Sequence, residues 1–167
     1  MKIMKNYFLP IIVIISLLIL SGCGNKNNEQ AMGYDIAKKT KAKVDISGNN
    51  IKLESGSAKF QGGEKTTLPA DFPNDVYVID GELQGVYQDT SVNGFVLTVK
   101  TDKTIEEIKK IYQEKLATNN WKILSDFSQT DILNISAQKD DRNLTIAASK
   151  DGNQEMTVTI IIGKKMF

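Results

Sequence analysis

The chain has 167 residues, 41% of them hydrophobic and 25% charged, with 21 basic side chains against 20 acidic ones. These proportions suit one globular domain rather than a disordered tail or a multi-pass membrane protein, and the near-neutral balance provides no strong field to draw nucleic acid, for which no binding motif is present. Histidine is absent and Cys23 is the only cysteine, which excludes Cys–His nucleophiles, Ser–His–Asp triads, the usual zinc ligand sets and any disulfide within the chain.

Met1–Asn6 carries Lys2 and Lys5, Tyr7–Leu20 is an apolar run interrupted only by Pro10 and Ser16, and Leu20-Ser21-Gly22-Cys23 follows. That order of charged, apolar and small-residue regions is the layout of a secretory signal. At about 14 residues the run is short of the ~20 that a transmembrane helix needs. Position by position, Leu20, Ser21, Gly22 and Cys23 resemble the lipobox of bacterial lipoproteins. The resemblance implies a diacylglyceryl group on the Cys23 thiol, cleavage just before it, and a lipid anchor of the palmitate class on the extracytoplasmic face of the cell membrane. Two acyl chains suffice for such an anchor, because each buried methylene contributes roughly 0.8 kcal/mol.

The expected organisation is therefore a signal peptide over 1–22, a lipidated cysteine and flexible tether over 23–43, and a single domain over 44–167. The tether is polar and lysine-rich. With about 20 residues it has a root-mean-square reach of roughly 25 Å.

Within the domain, Val44–Ile46 and Ile51–Glu54 alternate about Ser47-Gly48-Asn49, which predicts a hairpin in a segment 44–67, with Ala58–Gln61 as a third short strand. Pro69 and Pro73 bracket a stiff connector that opens the main body, 68–167. Val76–Ile79 reads as a strand, and Glu82–Gln88 with Gly94–Thr101 as a second hairpin. Thr104-Ile-Glu-Glu107 is a capping box, and Ile105, Ile108, Ile111, Tyr112 and Leu116 recur at helical spacing, predicting a helix over about 105–118. Asn119-Asn120 ends it. Trp121–Leu124, Ile132–Lys139, Leu144–Ala148 and Met156–Ile162 then return to a period of two. The links are short, so neighbouring strands should be antiparallel. The expected fold class is α+β: an antiparallel sheet of about five or six strands, one helix packed on one face, and a small N-terminal hairpin segment before it. A helix this narrow covers two or three strands. The rest of the apolar face needs another cover, and the 44–80 segment is the expected one.

The run Leu68, Pro69, Asp71, Phe72, Pro73, Asp75, Val76, followed by Tyr112, Leu116 and Trp121, also resembles a pattern of small bacterial secreted domains. That resemblance brings no activity with it. Asp71, Asp75, Asp80 and Glu82 form the densest carboxylate group and are candidates for acid–base work or divalent-ion binding, against a plainer role in turns. Trp121 is a candidate contact for a ligand or partner, against a place in the core. No catalytic residue, metal site or cofactor is assigned.

These observations favour a non-enzymatic binding or accessory module of the cell envelope, held to the lipid bilayer through acylated Cys23 and partnered by an envelope protein. Alternatives are a protective or immunity lipoprotein that sequesters an envelope-active peptide, and a carboxylate- or metal-dependent hydrolase. An alkyne-tagged fatty acid fed to cells should label the wild-type chain and not Cys23→Ser, which should accumulate still carrying Met1–Gly22. Equal labelling of the two would defeat the anchor.

Overall fold

The computed structural model describes residues 42–150 and 155–164. The expected signal peptide, lipobox and lipidation site, the tether as far as position 41, and the turn at 151–154 lie outside the described residues.

Nine strands form one antiparallel sheet: β1 (Lys43–Ser47), β2 (Asn50–Ser55), β3 (Ala58–Gly62), β4 (Glu82–Asp89), β5 (Gly94–Thr101), β6 (Lys122–Gln129), β7 (Ile132–Lys139), β8 (Arg142–Lys150) and β9 (Met156–Lys164). The order across the sheet is β1-β2-β3-β4-β5-β9-β8-β7-β6. The first five strands run in sequence. The chain then crosses by helix α1 (Ile105–Thr118) to the far edge and returns as a meander until β9 pairs with β5, with Leu97 opposite Ile160.

This corrects the expected fold. The sheet has nine strands, not five or six, and the N-terminal hairpin segment is part of it: Ala58–Gly62 pairs with Gly85–Asp89 and joins β1–β3 to the rest. The five residues of β3 alternate too weakly to reveal that pairing in sequence. Nor is one helix the layer over the sheet. Helix α1 contacts β6 and β7, and the connector lays Phe72, Val76 and Ile79 into the same core cluster. Val76–Ile79 belongs to no strand, because its apolar side chains are used as cover.

The helix carries both halves of its capping box: Glu107 N–H donates to Thr104 Oγ1 at 3.3 Å, and Thr104 N–H donates to Glu107 Oε2 at 2.8 Å. It ends in a Schellman motif. Asn120 has φ 58°, its N–H donates to the Ala117 carbonyl at 3.1 Å, and the Trp121 N–H donates to the Leu116 carbonyl at 2.9 Å. Leu116 and Trp121 are both buried in the core, the apolar contact that accompanies this motif.

Period-two alternation divides the central strands. Phe95, Leu97 and Val99 on β5, Leu133 and Ile135 on β7, Leu144 and Ile146 on β8, and Val158, Ile160 and Ile162 on β9 point under the helix and connector and are at most 4% exposed. Residues between them point to the opposite side, the outer face. Adjacent substitutions should therefore differ sharply: Leu97→Ala should cost about 2–5 kcal/mol in chemical denaturation, and Thr98→Ala less than about 1 kcal/mol. Comparable losses at the two positions would contradict the assignment of faces.

Candidate binding face

Of the four carboxylates singled out in the sequence, Asp80 and Glu82 line one groove, while Asp71 and Asp75 lie elsewhere. Asp71 accepts from Gln88 Nε2 at 2.6 Å, against the inner side of β4. The Tyr77 hydroxyl donates to Asp80 Oδ2 at 3.4 Å, and the Asp80 carbonyl accepts from Thr101 Oγ1 at 2.9 Å. Glu82 is exposed at the start of β4, opposite Lys100. Among the described residues no three carboxylates gather closely enough to hold a metal ion.

Asp75 has a different role. Arg142 grips it in a fork, Nη1 to Oδ1 at 2.9 Å and Nη2 to Oδ2 at 2.7 Å, and Lys139 Nζ reaches Oδ2 at 2.7 Å. The Asp75 carbonyl accepts from Trp121 Nε1 at 3.0 Å, and the Arg142 guanidinium lies 5.1 Å from the centre of the Trp121 ring. Such planar, two-toothed contacts are the strong form of an ion pair. They fasten the connector to the β7–β8 hairpin and to the residue after the helix. Trp121, 4% exposed, is a core residue in this clamp and not a surface contact.

An open groove at one end of the sheet is lined by Asp80, Lys100, Thr104, Lys150 and Glu155. Its lining sets Asp80, Glu82, Asp102, Glu106 and Glu155 against Lys100, Lys103 and Lys150, with Lys100 on Glu155 at 2.6 Å and Lys150 on Asp131 at 3.1 Å, so the groove is mildly acidic.

The outer face is more distinctive. Strand register places Ile46, Ile51, Gly62, Gly85, Thr98, Thr159, Ala147, Asn134 and Phe127 in one line across all nine strands. A second line runs Val44, Leu53, Phe60, Tyr87, Val96, Ile161, Thr145, Ser136 and Ser125. Neither contains a charge. The line between them on the inner face runs Asp45, Lys52, Gln61, Val86, Leu97, Ile160, Ile146, Ile135 and Asp126, apolar under the cover and charged at its ends. Beyond the reach of the helix the sheet thus exchanges its polarity. On β1–β3 the charged side chains take the inner side, and the aliphatic ones take the outer side.

Locally, this face is built around two glycines. Gly62 and Gly85 stand opposite each other on β3 and β4, and the Phe60 ring lies over both: a Cβ at Gly62 would meet Phe60 Cζ at 3.0 Å, and one at Gly85 would meet Cε2 at 3.5 Å. An aromatic side chain laid over strand glycines fills the space they leave. Three of the exposed large hydrophobics also belong to this side: Phe127 at 52%, Ile132 at 49% and Ile161 at 43% exposed. Sequence reasoning missed the face because Thr, Ser and Asn at alternate positions read as an ordinary wet side. The recoverable signal was the scarcity of charge at those positions from β5 to β9, where Lys100 and Lys122 stand near strand ends.

A family model described as START domain-like matches residues 83–163, just under half of the chain. It spans β4, β5, the helix and the return meander nearly to the end of β9, and leaves out β1–β3. No curated protein and no solved structure matches the chain. Among the described residues no helix is long and apolar enough to cross a membrane.

The Asp75 clamp yields a pH prediction. The hydrogen bond from Arg142, aided by Lys139, outweighs partial burial and lowers the Asp75 pKa to about 2. A carboxylate depressed in the folded state stabilises the fold above its unfolded pKa of about 4, and that contribution is lost as pH falls from there through 2. Asp75→Asn should therefore be less stable than wild type at pH 7, by on the order of 1 kcal/mol once solvent screening is allowed for. The difference should close between about pH 4 and pH 2 in denaturation curves. A gap independent of pH would show that the carboxylate charge is not what fastens the connector.

Proposed function

We propose that this chain is a membrane-anchored, extracytoplasmic lipoprotein whose folded domain acts as a non-enzymatic binding or accessory module of the cell envelope. The observation that carries the binding role is the outer face: two uncharged lines across nine strands, with large apolar side chains exposed on the side away from the core. Apolar surface left open to water beyond a few hundred Å² commonly marks an interaction site. The START domain-like match fits a ligand-binding fold, and the lipobox resemblance supplies the anchor. Asp80 and Glu82 share the groove, but Asp71 is taken up by Gln88 and Asp75 by Arg142 and Lys139, which weighs against one carboxylate site built from all four.

The anchor and the face complement each other. A lipid on Cys23 confines the domain to within a tether length of the membrane, which raises its effective concentration toward anything else held there. A face with modest affinity in solution then suffices at the membrane.

The reading is tested with photo-crosslinking residues placed singly at Val96, Thr145 and Ile161 on the outer face, and at Lys52 and Glu106 elsewhere, in the full-length chain in living cells. Outer-face positions should give discrete adducts and the others none, with adduct yield falling severalfold in Cys23→Ala. Adducts spread evenly over all positions, or none from the outer face, would end the binding-face reading.

A further inference from the structure

We propose that the outer face is the interface of a homodimer, in which two copies of this chain pack sheet against sheet about a two-fold axis lying between them. This rests on the binding-face reading and names the occupant.

Charge favours a second copy. In a two-fold contact the same surface serves both partners, so a charge near its centre risks meeting its own like. The two lines of outer-face residues are free of charge on all nine strands, including the two edges. Lys100, on this face at the end of β5, lies on Glu155 at 2.6 Å. The charges on this side, Glu82, Asp89, Lys100 and Lys122, lie outside the two central lines, which leaves the middle of the face without a charge to orient a dissimilar partner.

Area favours it as well. Five central strands spaced ~4.8 Å apart, each about eight residues long at ~3.3 Å per residue, give a footprint of roughly 600 Å². The aliphatic lines of β1–β3 extend it toward ~1,000 Å², where a stable interface needs about 800 Å² per partner. A peptide lying across the sheet would cover a fraction of this, whereas a second sheet covers it all. Two sheets stack ~10 Å apart with strands about 30° from aligned when their side chains interdigitate, and the β-branched residues of this face suit that packing. Val96 and Ile161 sit opposite each other on β5 and β9, the middle of the strand order. That puts the most apolar pair of the central strands where the interface would be most deeply buried.

The test uses the full-length chain with one added cysteine at Thr98, Thr145, Ser136 or Ile161, Cys23 being the only native cysteine. After copper–phenanthroline oxidation of membranes, at least one position should give a disulfide-linked species of twice the chain mass. Wild type, Lys52→Cys and Glu106→Cys should give none. In detergent, the wild-type chain should have the mass of two copies. Ile161→Glu, at an exposed position that leaves the core intact, should lower the dimer fraction at least tenfold at equal concentration without changing the melting temperature by more than a few degrees. A monomeric wild type, or no self-linked product from any outer-face cysteine, overturns the homodimer. An adduct to a different envelope protein also overturns it but leaves the binding-face reading standing, whereas the absence of any outer-face adduct removes both.

Discussion

The pairing of β5 with β9 joins Phe95–Thr101 to Met156–Ile162 across a loop that contains the helix and three further strands. Without that pairing the sheet would divide into β1 to β5 and β6 to β9. Once it forms, Leu97 lies opposite Ile160 and the core becomes continuous from Val86 to Ile135. The helix and the connector can then cover it together. The cost is a long loop closed late, because entropy must be given up before the contact returns it. The Asp75 clamp draws its three partners, Lys139 of β7, Arg142 of β8 and Trp121 just past the helix, from inside that loop. It holds the connector on the core that β5 and β9 make continuous.

The same pairing also creates the outer face. Strands alternate sides, so a register that puts Leu97 beside Ile160 must put Val96 beside Ile161 and Thr98 beside Thr159. The core demands apolar residues on one side and leaves the other free. On β5 and β7–β9 that freedom could have been filled with Lys and Glu, the residues that usually keep a wet sheet soluble. It is filled mainly with Thr, Ser, Asn, Val and Ile instead. On β1–β3 the choice is sharper, for there the charges lie on the inner side and the aliphatic residues on the outer. Local folding does not require this reversal. It carries two uncharged lines across both differently patterned halves of the sheet.

Much of the element pattern was legible in sequence because local physics carries it. The capping box at Thr104–Glu107 and the stop at Asn119–Asn120 satisfy backbone groups within one turn of the helix, and the alternating runs of β5, β7 and β9 announce their own period. What was not legible is pairing between distant segments. Nothing local in Ala58–Gly62 says that it hydrogen-bonds to Gly85–Asp89 across the Pro-rich connector, so a nine-stranded sheet read as a hairpin beside a smaller one. Val76–Ile79 has the composition of a strand and serves as cover. Asp75 looked like one of four related acids until the fold brought Arg142 and Lys139 to it, and Trp121 could be placed only once Leu116 and the Asp75 carbonyl were known to be its neighbours. The carboxylate group divides for the same reason: the connector is pinned at several points to different strands, so Asp80 and Glu82 stay at one groove while Asp71 and Asp75 are carried elsewhere.

An uncharged, partly apolar sheet is an aggregation hazard if its edges can add strands without limit. Both edges here resist that. β6 carries a bulge between Ile123 and Ser125, and its inward Asp126 is held to the helix by Lys109 at 3.2 Å and Gln113 at 2.6 Å. β1 is five residues long and sets Lys43 and Asp45 on the charged inner side. Growth through the edges is thereby discouraged, while the outer face stays open. A surface kept available for contact on a molecule whose edges disfavour strand addition favours an association that ends at two copies over one that propagates. That separation, a permissive face between guarded edges, distinguishes a binding surface from a defect in the fold.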